Sequence, residues 1–297
     1  MEKKSFSTIR CRIITVNSVD RKNITTVIYG QGDNFVILHP GLGRDGQHYH
    51  ELAKQLAQNT GWSVVLFDPR GHYVDCLTGE PENVYSFPGM TEDLNSLIRH
   101  FKNETNLVKI IGFSNGALVT AHVHDNQDVA GLCLVSCPIS LTDGLAYGKM
   151  CKRYDRLFHK EMKKKFDRYF AGFCLRDSYV QEHRNLESAP FKIGKLYVKD
   201  FPQHVKNITS ANTLNDLPEE ITMPVTFIFA QYDFVLKKFF SKMPLVYQQV
   251  FKKFNNNNLT VAIVPKSTHG FGIKKERLCK QTMSLISELI CFIKAVS

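Results

Sequence analysis

Three observations predict an α/β fold: a mainly parallel, eight-stranded sheet with helices on both faces. Short apolar runs alternate along the chain with stretches whose apolar residues recur at helical spacing. Several of these runs are apolar throughout, as in strands buried on both faces, rather than alternating. A further run, Val108-Lys109-Ile110-Ile111, leads into Gly112-Phe113-Ser114-Asn115-Gly116 and then into Ala117-Leu118-Val119. That pattern reads as strand, very tight turn, helix, and it holds one serine oxygen out at the top of a sheet.

Taken in order, Ile9 to Val16 and Ile24 to Tyr29 are rich in Ile, Thr and Val and are separated by a polar loop, so they read as an opening hairpin. Phe35 to Leu38 is a buried strand ending in His39-Pro40-Gly41-Leu42-Gly43. Gln47 to Asn59 reads as a helix with Tyr49, Leu52, Ala53, Leu56 and Ala57 on one face, and Gly61 is its stop signal. Val64 to Phe67 is the next strand, ending in Asp68-Pro69-Arg70-Gly71-His72, and Thr91 to Lys102 the next helix, with Leu94, Leu97, Ile98 and Phe101 inward. After the helix that follows Ser114, Gly131 to Val135 is a strand. From about Pro138 to Thr222 the alternation breaks and the chain turns charged, aromatic and mostly helical. Val225 to Phe229 resumes the strand pattern, a helix falls within Lys237 to Phe254, and a turn at Asn255 to Asn258 precedes the last strand, Leu259 to Val264. Gln281 to Val296 is the last helix, with Leu285, Ile286, Leu289, Ile290 and Ile293 on one face. The expected organisation is a core of residues 1–137 and 223–297, with 138–222 inserted as a helical cap.

At 297 residues the chain suits one large domain with an insertion. A hydrophobic content of 43% with 22% charged residues is that of a soluble globular protein, and no apolar stretch is long enough to span a membrane. The lysines at the start are not followed by an apolar segment, so no secretory signal is read and the expected location is cytoplasmic. Eight cysteines without a Cys-x-x-Cys pair are expected to be reduced, structural thiols, and nothing implies a metal or a cofactor. The net charge of +10 favours acidic partners or anionic surfaces. Charge alone, with no recognisable motif, does not make a nucleic-acid-binding protein.

In a parallel sheet the ligand sits at the carboxyl ends of the strands, which singles out the loop from His39 to Gly43, Ser114, Asp233 and His269. A serine hydroxyl needs a base to take its proton, and the base needs an acid to fix its tautomer. The turn around Ser114 resembles the nucleophile elbow of the alpha/beta-hydrolase family, which carries its residues in chain order Ser, Asp or Glu, His. The resemblance implies Ser114 as nucleophile, Asp233 in Ala230-Gln231-Tyr232-Asp233-Phe234-Val235 as acid, and His269 in Pro265-Lys266-Ser267-Thr268-His269-Gly270 as base. Two alternatives stay open. His72 at a strand end is a rival base, and Asp143 is a rival acid. Asp143 lies just beyond Ser136-Cys137-Pro138, where some members carry their carboxylate. The remaining bland readings are a helix N-cap for Asp233 and a loop histidine for His269.

The same resemblance implies an oxyanion hole from the backbone N–H groups of Asn115 and Leu42. The loop from His39 to Gly43 is similar to the family's His-Gly-x-Gly loop with one residue inserted, and Pro40 has no N–H to give. Asp68 to Tyr73 is similar to the Asp-x-Arg-Gly-His-Gly signature with Tyr73 at the final glycine, and Arg70 reads as a buttress between loops. In the cap, Leu157, Phe158, Met162, Phe166, Tyr169, Phe170 and Phe173 fall at helical spacing, opposite a basic face. The plain reading packs that stripe on the core. The sharper one makes Phe158, Phe166 and Phe170, with Phe113, contacts of a hydrophobic acyl substrate, and the basic rim a dock for an acidic acyl carrier protein or anionic lipid surface.

The function expected is a serine hydrolase cleaving a carboxylic ester or thioester through an acyl-enzyme on Ser114. The alternatives are an acyltransferase or thioesterase acting on a carrier-bound acyl chain, and a non-catalytic binding protein of the same fold. A serine at the elbow argues against epoxide hydrolase and dehalogenase chemistry, which use a carboxylate there.

Overall fold

The computed structural model describes residues 9–19, 23–41, 44, 46–70, 87–123, 125–137, 191–193, 196–198, 223–233, 258–273 and 278–295. Within them lie β1 (Cys11–Asn17), β2 (Asn23–Tyr29), β3 (Phe35–His39), a 3-10 turn (Gly46–Tyr49), α1 (His50–Thr60), β4 (Ser63–Phe67), α2 (Phe87–Phe101), β5 (Val108–Phe113), α3 (Asn115–Ala121) and β6 (Gly131–Val135). A short pair, β7 (Phe191–Ile193) and β8 (Leu196–Val198), comes next, followed by β9 (Val225–Tyr232), β10 (Leu259–Thr268) and α4 (Lys280–Lys294).

Eight of these strands form one sheet in the order β1-β2-β4-β3-β5-β6-β9-β10. β1 with β2 and β2 with β4 run antiparallel; the other neighbours run parallel. After β3 the chain lays β4 on one side and β5 on the other. That reversal opens a crevice at the carboxyl ends of the central strands.

Alternating side chains of each strand feed two layers. Val36, Leu38, Val64, Leu66, Ile111, Cys133 and Ile228 form one core cluster with Leu52 and Leu56 of α1 and Leu285, Leu289 and Ile293 of α4. The intervening positions Ile37, Val65, Ile110, Leu132 and Phe227 are equally buried. α2 and α3 pack on each other and on the strands, as α1 does with α4. Each such Leu or Ile contributes about 2 kcal/mol by leaving water.

Differences from the sequence reading have local causes. α2 begins at Phe87 rather than Thr91, because Pro88 and Gly89, which look like breakers, sit in the first turn. Helical N–H groups there have no partner to lose. α1 ends as expected, with Gly61 at φ 75° donating its N–H to the Ala57 carbonyl at 3.0 Å. Within the segment expected to be mostly helical, β7 and β8 form an antiparallel hairpin. The rest of 138–222, including the amphipathic stripe from Leu157 to Phe173, lies outside the described residues, as does the helix expected within 237–254.

Lys109 interrupts the apolar run of β5 and is nonetheless 2% exposed. Its Nζ reaches the end of α4, donating to the carbonyls of Phe292 (3.0 Å) and Ala295 (2.6 Å), with Ile293 at 3.4 Å. It also lies over the rings of Trp62 (5.6 Å) and Phe292 (5.2 Å). Burial pushes its pKa down. Against that, the carbonyls and negative pole of the helix C-terminus favour the cation.

Candidate active site

The turn between β5 and α3 is shaped by what cannot fit in it. A Cβ on Gly112 would stand 2.4 Å from Thr120 Oγ1 and 2.5 Å from the Gly116 carbonyl oxygen. One on Gly116 would stand 2.3 Å from the Pro40 carbonyl oxygen and 2.5 Å from His39 Nδ1. Between them Ser114 takes φ 52°, ψ −118°, a conformation that L-residues adopt at a cost of about 1–3 kcal/mol. The strain is held by hydrogen bonds on both sides. The Ser114 N–H donates to the Val135 carbonyl of β6 at 2.8 Å, and the Ser114 carbonyl accepts from Ala117 N–H at 2.9 Å, which starts α3.

The other half of the site comes from two strand ends. β9 and β10 pair in register up to Val264 opposite Ala230, and pair again at Thr268 opposite Tyr232. The extra residues of β10 are taken up by an irregularity containing Lys266 at φ 53°. Lys266 N–H donates to Gln231 Oε1 at 2.7 Å, and the buried Ser267 hydroxyl donates to the Val264 carbonyl at 2.7 Å. Because Thr268 then lies opposite Tyr232, the next residues, His269 and Asp233, emerge side by side. β9 and β10 each run further than the apolar pattern alone suggests, to Tyr232 and Thr268.

His269 Nδ1 lies 2.9 Å from both Asp233 oxygens, and His269 Nε2 lies 2.9 Å from Ser114 Oγ. A carboxylate only accepts, so Nδ1 carries the proton and Nε2 presents a lone pair to the serine hydroxyl. Asp233 is buried at 7% exposure, while His269 is partly exposed, its side chain at 20%. The turn carrying His269 is tied to the start of α4, where the Thr282 hydroxyl donates to the Phe271 carbonyl at 2.9 Å.

Other residues weighed in the sequence fall as follows. Asn115 opens α3 directly after Ser114. Leu42 lies outside the described residues, but Gly41 beside it sits against the elbow, where a Cβ would be 3.2 Å from the Phe113 carbonyl. Phe113 packs in the core, its ring 4.6 Å from that of Tyr49. Phe158, Phe166, Phe170, His72 and Asp143 lie outside the described residues. His50 is engaged by the Tyr29 hydroxyl, and His122 Nδ1 by the Leu118 carbonyl. Arg70 ties the end of β4 to α2 through Asp93, Nε to Oδ2 at 2.8 Å, and the Ser18 hydroxyl joins the same carboxylate at 2.9 Å.

One residue at the site was not assigned a role from sequence. Ser136, at the end of β6, donates from Oγ to Asp233 Oδ2 at 2.8 Å. Its only sequence signal was its place, a strand end where a carboxylate could have stood. Among the described residues no group of His, Cys, Asp and Glu is arranged to hold a metal, and no helix is long and apolar enough to cross a membrane.

Solved structures share this architecture along nearly the whole chain. A hydrolase from Pseudomonas aeruginosa superposes with TM-score 0.64 at 14% identity, covering 95% of this chain and 98% of the other. An esterase from Exiguobacterium antarcticum gives 0.64 at 18%, covering 95% and 99%, and the alpha/beta hydrolase GrgF from a Penicillium species 0.63 at 16%, covering 96% and 98%. At such identities the likeness speaks to the fold. No curated protein matches the chain by sequence. The profile of the family described as serine aminopeptidase, S33 matches residues 30–276, which takes in the elbow, Asp233 and His269. By that match, the chain belongs to this family of the alpha/beta-hydrolase superfamily.

Proposed function

We propose that the protein is a serine hydrolase that cleaves a carboxylic ester or thioester through an acyl-enzyme on Ser114. The observation that carries this reading is the continuous chain of contacts from Ser114 Oγ through the His269 ring to the Asp233 carboxylate. His269 Nε2 takes the hydroxyl proton as Ser114 Oγ bonds to the substrate carbonyl carbon. The oxyanion that forms is met by the Asn115 N–H and by a second N–H from the loop after β3, with Leu42 the candidate donor there. Its collapse breaks the bond to the alcohol or thiol, which leaves with the proton from His269. Water, deprotonated by the same nitrogen, then releases the acid and restores Ser114. Asp233 keeps Nδ1 protonated and stabilises the imidazolium in both halves.

That structural neighbours include esterases favours ester substrates. The family's description favours an amide bond at a peptide amino end as a second reading. A segment at 138–222 rich in Phe, Tyr, Lys and Arg fits an apolar acyl group with an acidic carrier or anionic surface around it.

Labelling with a fluorophosphonate probe tests the reading directly. Wild type is expected to label and Ser114→Ala not at all, with turnover of any substrate lowered about 10⁴-fold or more. A folded wild type that does not label would exclude the acyl-enzyme and leave a non-catalytic binding protein. A panel of p-nitrophenyl esters of rising chain length, acyl thioesters and aminoacyl anilides separates the substrate classes. Product analysis with added alcohol or thiol separates hydrolysis from acyl transfer. Turnover that falls steeply with salt on a carrier-bound thioester, and not on a soluble ester, identifies the carrier reading.

A further inference from the structure

We propose that Ser136 is a positioning residue that orients the Asp233 carboxylate for His269; this rests on the reading of Ser114, His269 and Asp233 given above. Ser136 is 1% exposed and stands in the left-handed region at φ 46°. Glycine or asparagine takes that conformation at little cost, and serine takes it under strain. The residue is held there from three directions. Its N–H donates to the Ile228 carbonyl of β9 at 2.8 Å, and the carbonyl just before it, Val135, accepts the Ser114 N–H at 2.8 Å. Its Oγ donates to Asp233 Oδ2 at 2.8 Å.

The Val135–Ser136 peptide at the end of β6 therefore touches the serine turn on one side and β9 on the other, and the Ser136 side chain reaches the carboxylate. This follows from the strand order, since β6 lies between β5, which carries Ser114, and β9, which carries Asp233. A carboxylate rotates easily about its last bond. With a donor fixed on Oδ2, the group is held in the plane that leaves both oxygens 2.9 Å from His269 Nδ1. Loss of that donor weakens the hold on this plane, the imidazole shifts with the carboxylate, and Nε2 points less steadily at Ser114 Oγ.

The test compares Ser136→Gly and Ser136→Ala with wild type and Asp233→Asn by two readouts. One is the second-order rate of fluorophosphonate labelling; the other is the low-field proton resonance of the His269 Nδ1–H. Glycine removes the hydroxyl and relieves the strained φ, so that variant keeps its fold. Alanine removes the hydroxyl and keeps the Cβ. Both are expected to label about ten- to a hundredfold more slowly, as for loss of a hydrogen bond to a charged group. The resonance, absent in Asp233→Asn, is expected to broaden in both. Wild-type labelling with an unchanged resonance in both variants would overturn the proposal. So would slow labelling by Ser136→Gly alone, which would mean a loosened turn. Broadening of the resonance alongside a wild type that does not label would uphold the positioning role and remove Ser114 as nucleophile.

Discussion

The two halves of the site are held in different ways. Ser114 is presented by a local device, five consecutive residues whose glycines let β5, α3 and the His39–Pro40 peptide close on one another at contact distance. Asp233 and His269 are presented by a non-local one. Their strands must pair in register, β10 must absorb extra residues near Lys266, and side chains from β6, β9 and α4 must supply hydrogen bonds. The first half is steric and tolerates nothing. The second is a set of separate polar contacts, each removable at a graded cost. The serine turn is therefore expected to fail all at once, and the Asp233–His269 pair by degrees.

The sharpest way to break this contrast is Gly116→Ala. Its Cβ would meet backbone, the Pro40 and His39 carbonyl oxygens at 2.3 and 2.6 Å, which cannot swing aside as a side-chain tip can. The expected loss is about 3–5 kcal/mol of stability together with all fluorophosphonate labelling, read by denaturant unfolding and by the probe. A variant of wild-type stability that still labels would show that β3 gives way at this point and that the turn is not steric in origin.

Lys109 lies outside the site, at the far end of the strand that leads to Ser114. Lys109→Ala leaves the last carbonyls of α4 without their donor and opens a void beside Trp62 and Phe292. A loss of about 2–3 kcal/mol is expected in urea unfolding, with the labelling rate unchanged. If labelling falls in step with stability, the foot of β5 is coupled to its top, and the local account of the elbow is wrong.

How legible all this was in the sequence follows the same division. The eight strands, the Gly61 stop, and Ser114, Asp233 and His269 at strand ends could be read, because apolar runs and their ends are local patterns. The extension of β9 and β10 past their apolar runs could not. It depends on pairing between Tyr232 and Thr268 and on an irregularity, with Lys266 at φ 53°, that carries no sequence signal. The burial of Lys109 could not be read either, since the carbonyls it donates to lie 183 and more residues away. Ser136 was noticed for the carboxylate it lacked, and its bond to Asp233 spans 97 residues. Such contacts are set by tertiary geometry, and one sequence holds no periodicity from which to infer them.

The smallest expected effect probes the non-local half at its far edge. Thr282 is fully buried at the start of α4, and its hydroxyl donates to the carbonyl of Phe271, two residues beyond His269. Phe271 is itself at φ 49° and fully buried, so its carbonyl cannot turn to water when the donor is lost. Thr282→Val keeps the shape and removes the hydroxyl. Cys279 Sγ, at 3.8 Å from the same carbonyl, is a weak and distant substitute. The expected cost is about 1 kcal/mol in unfolding and a fall in labelling rate of about threefold or less. A much larger fall in labelling with the same small loss of stability would mean that the Phe271 turn, rather than the Asp233 carboxylate, sets the aim of the imidazole. The graded half of the site would then have a single dominant support.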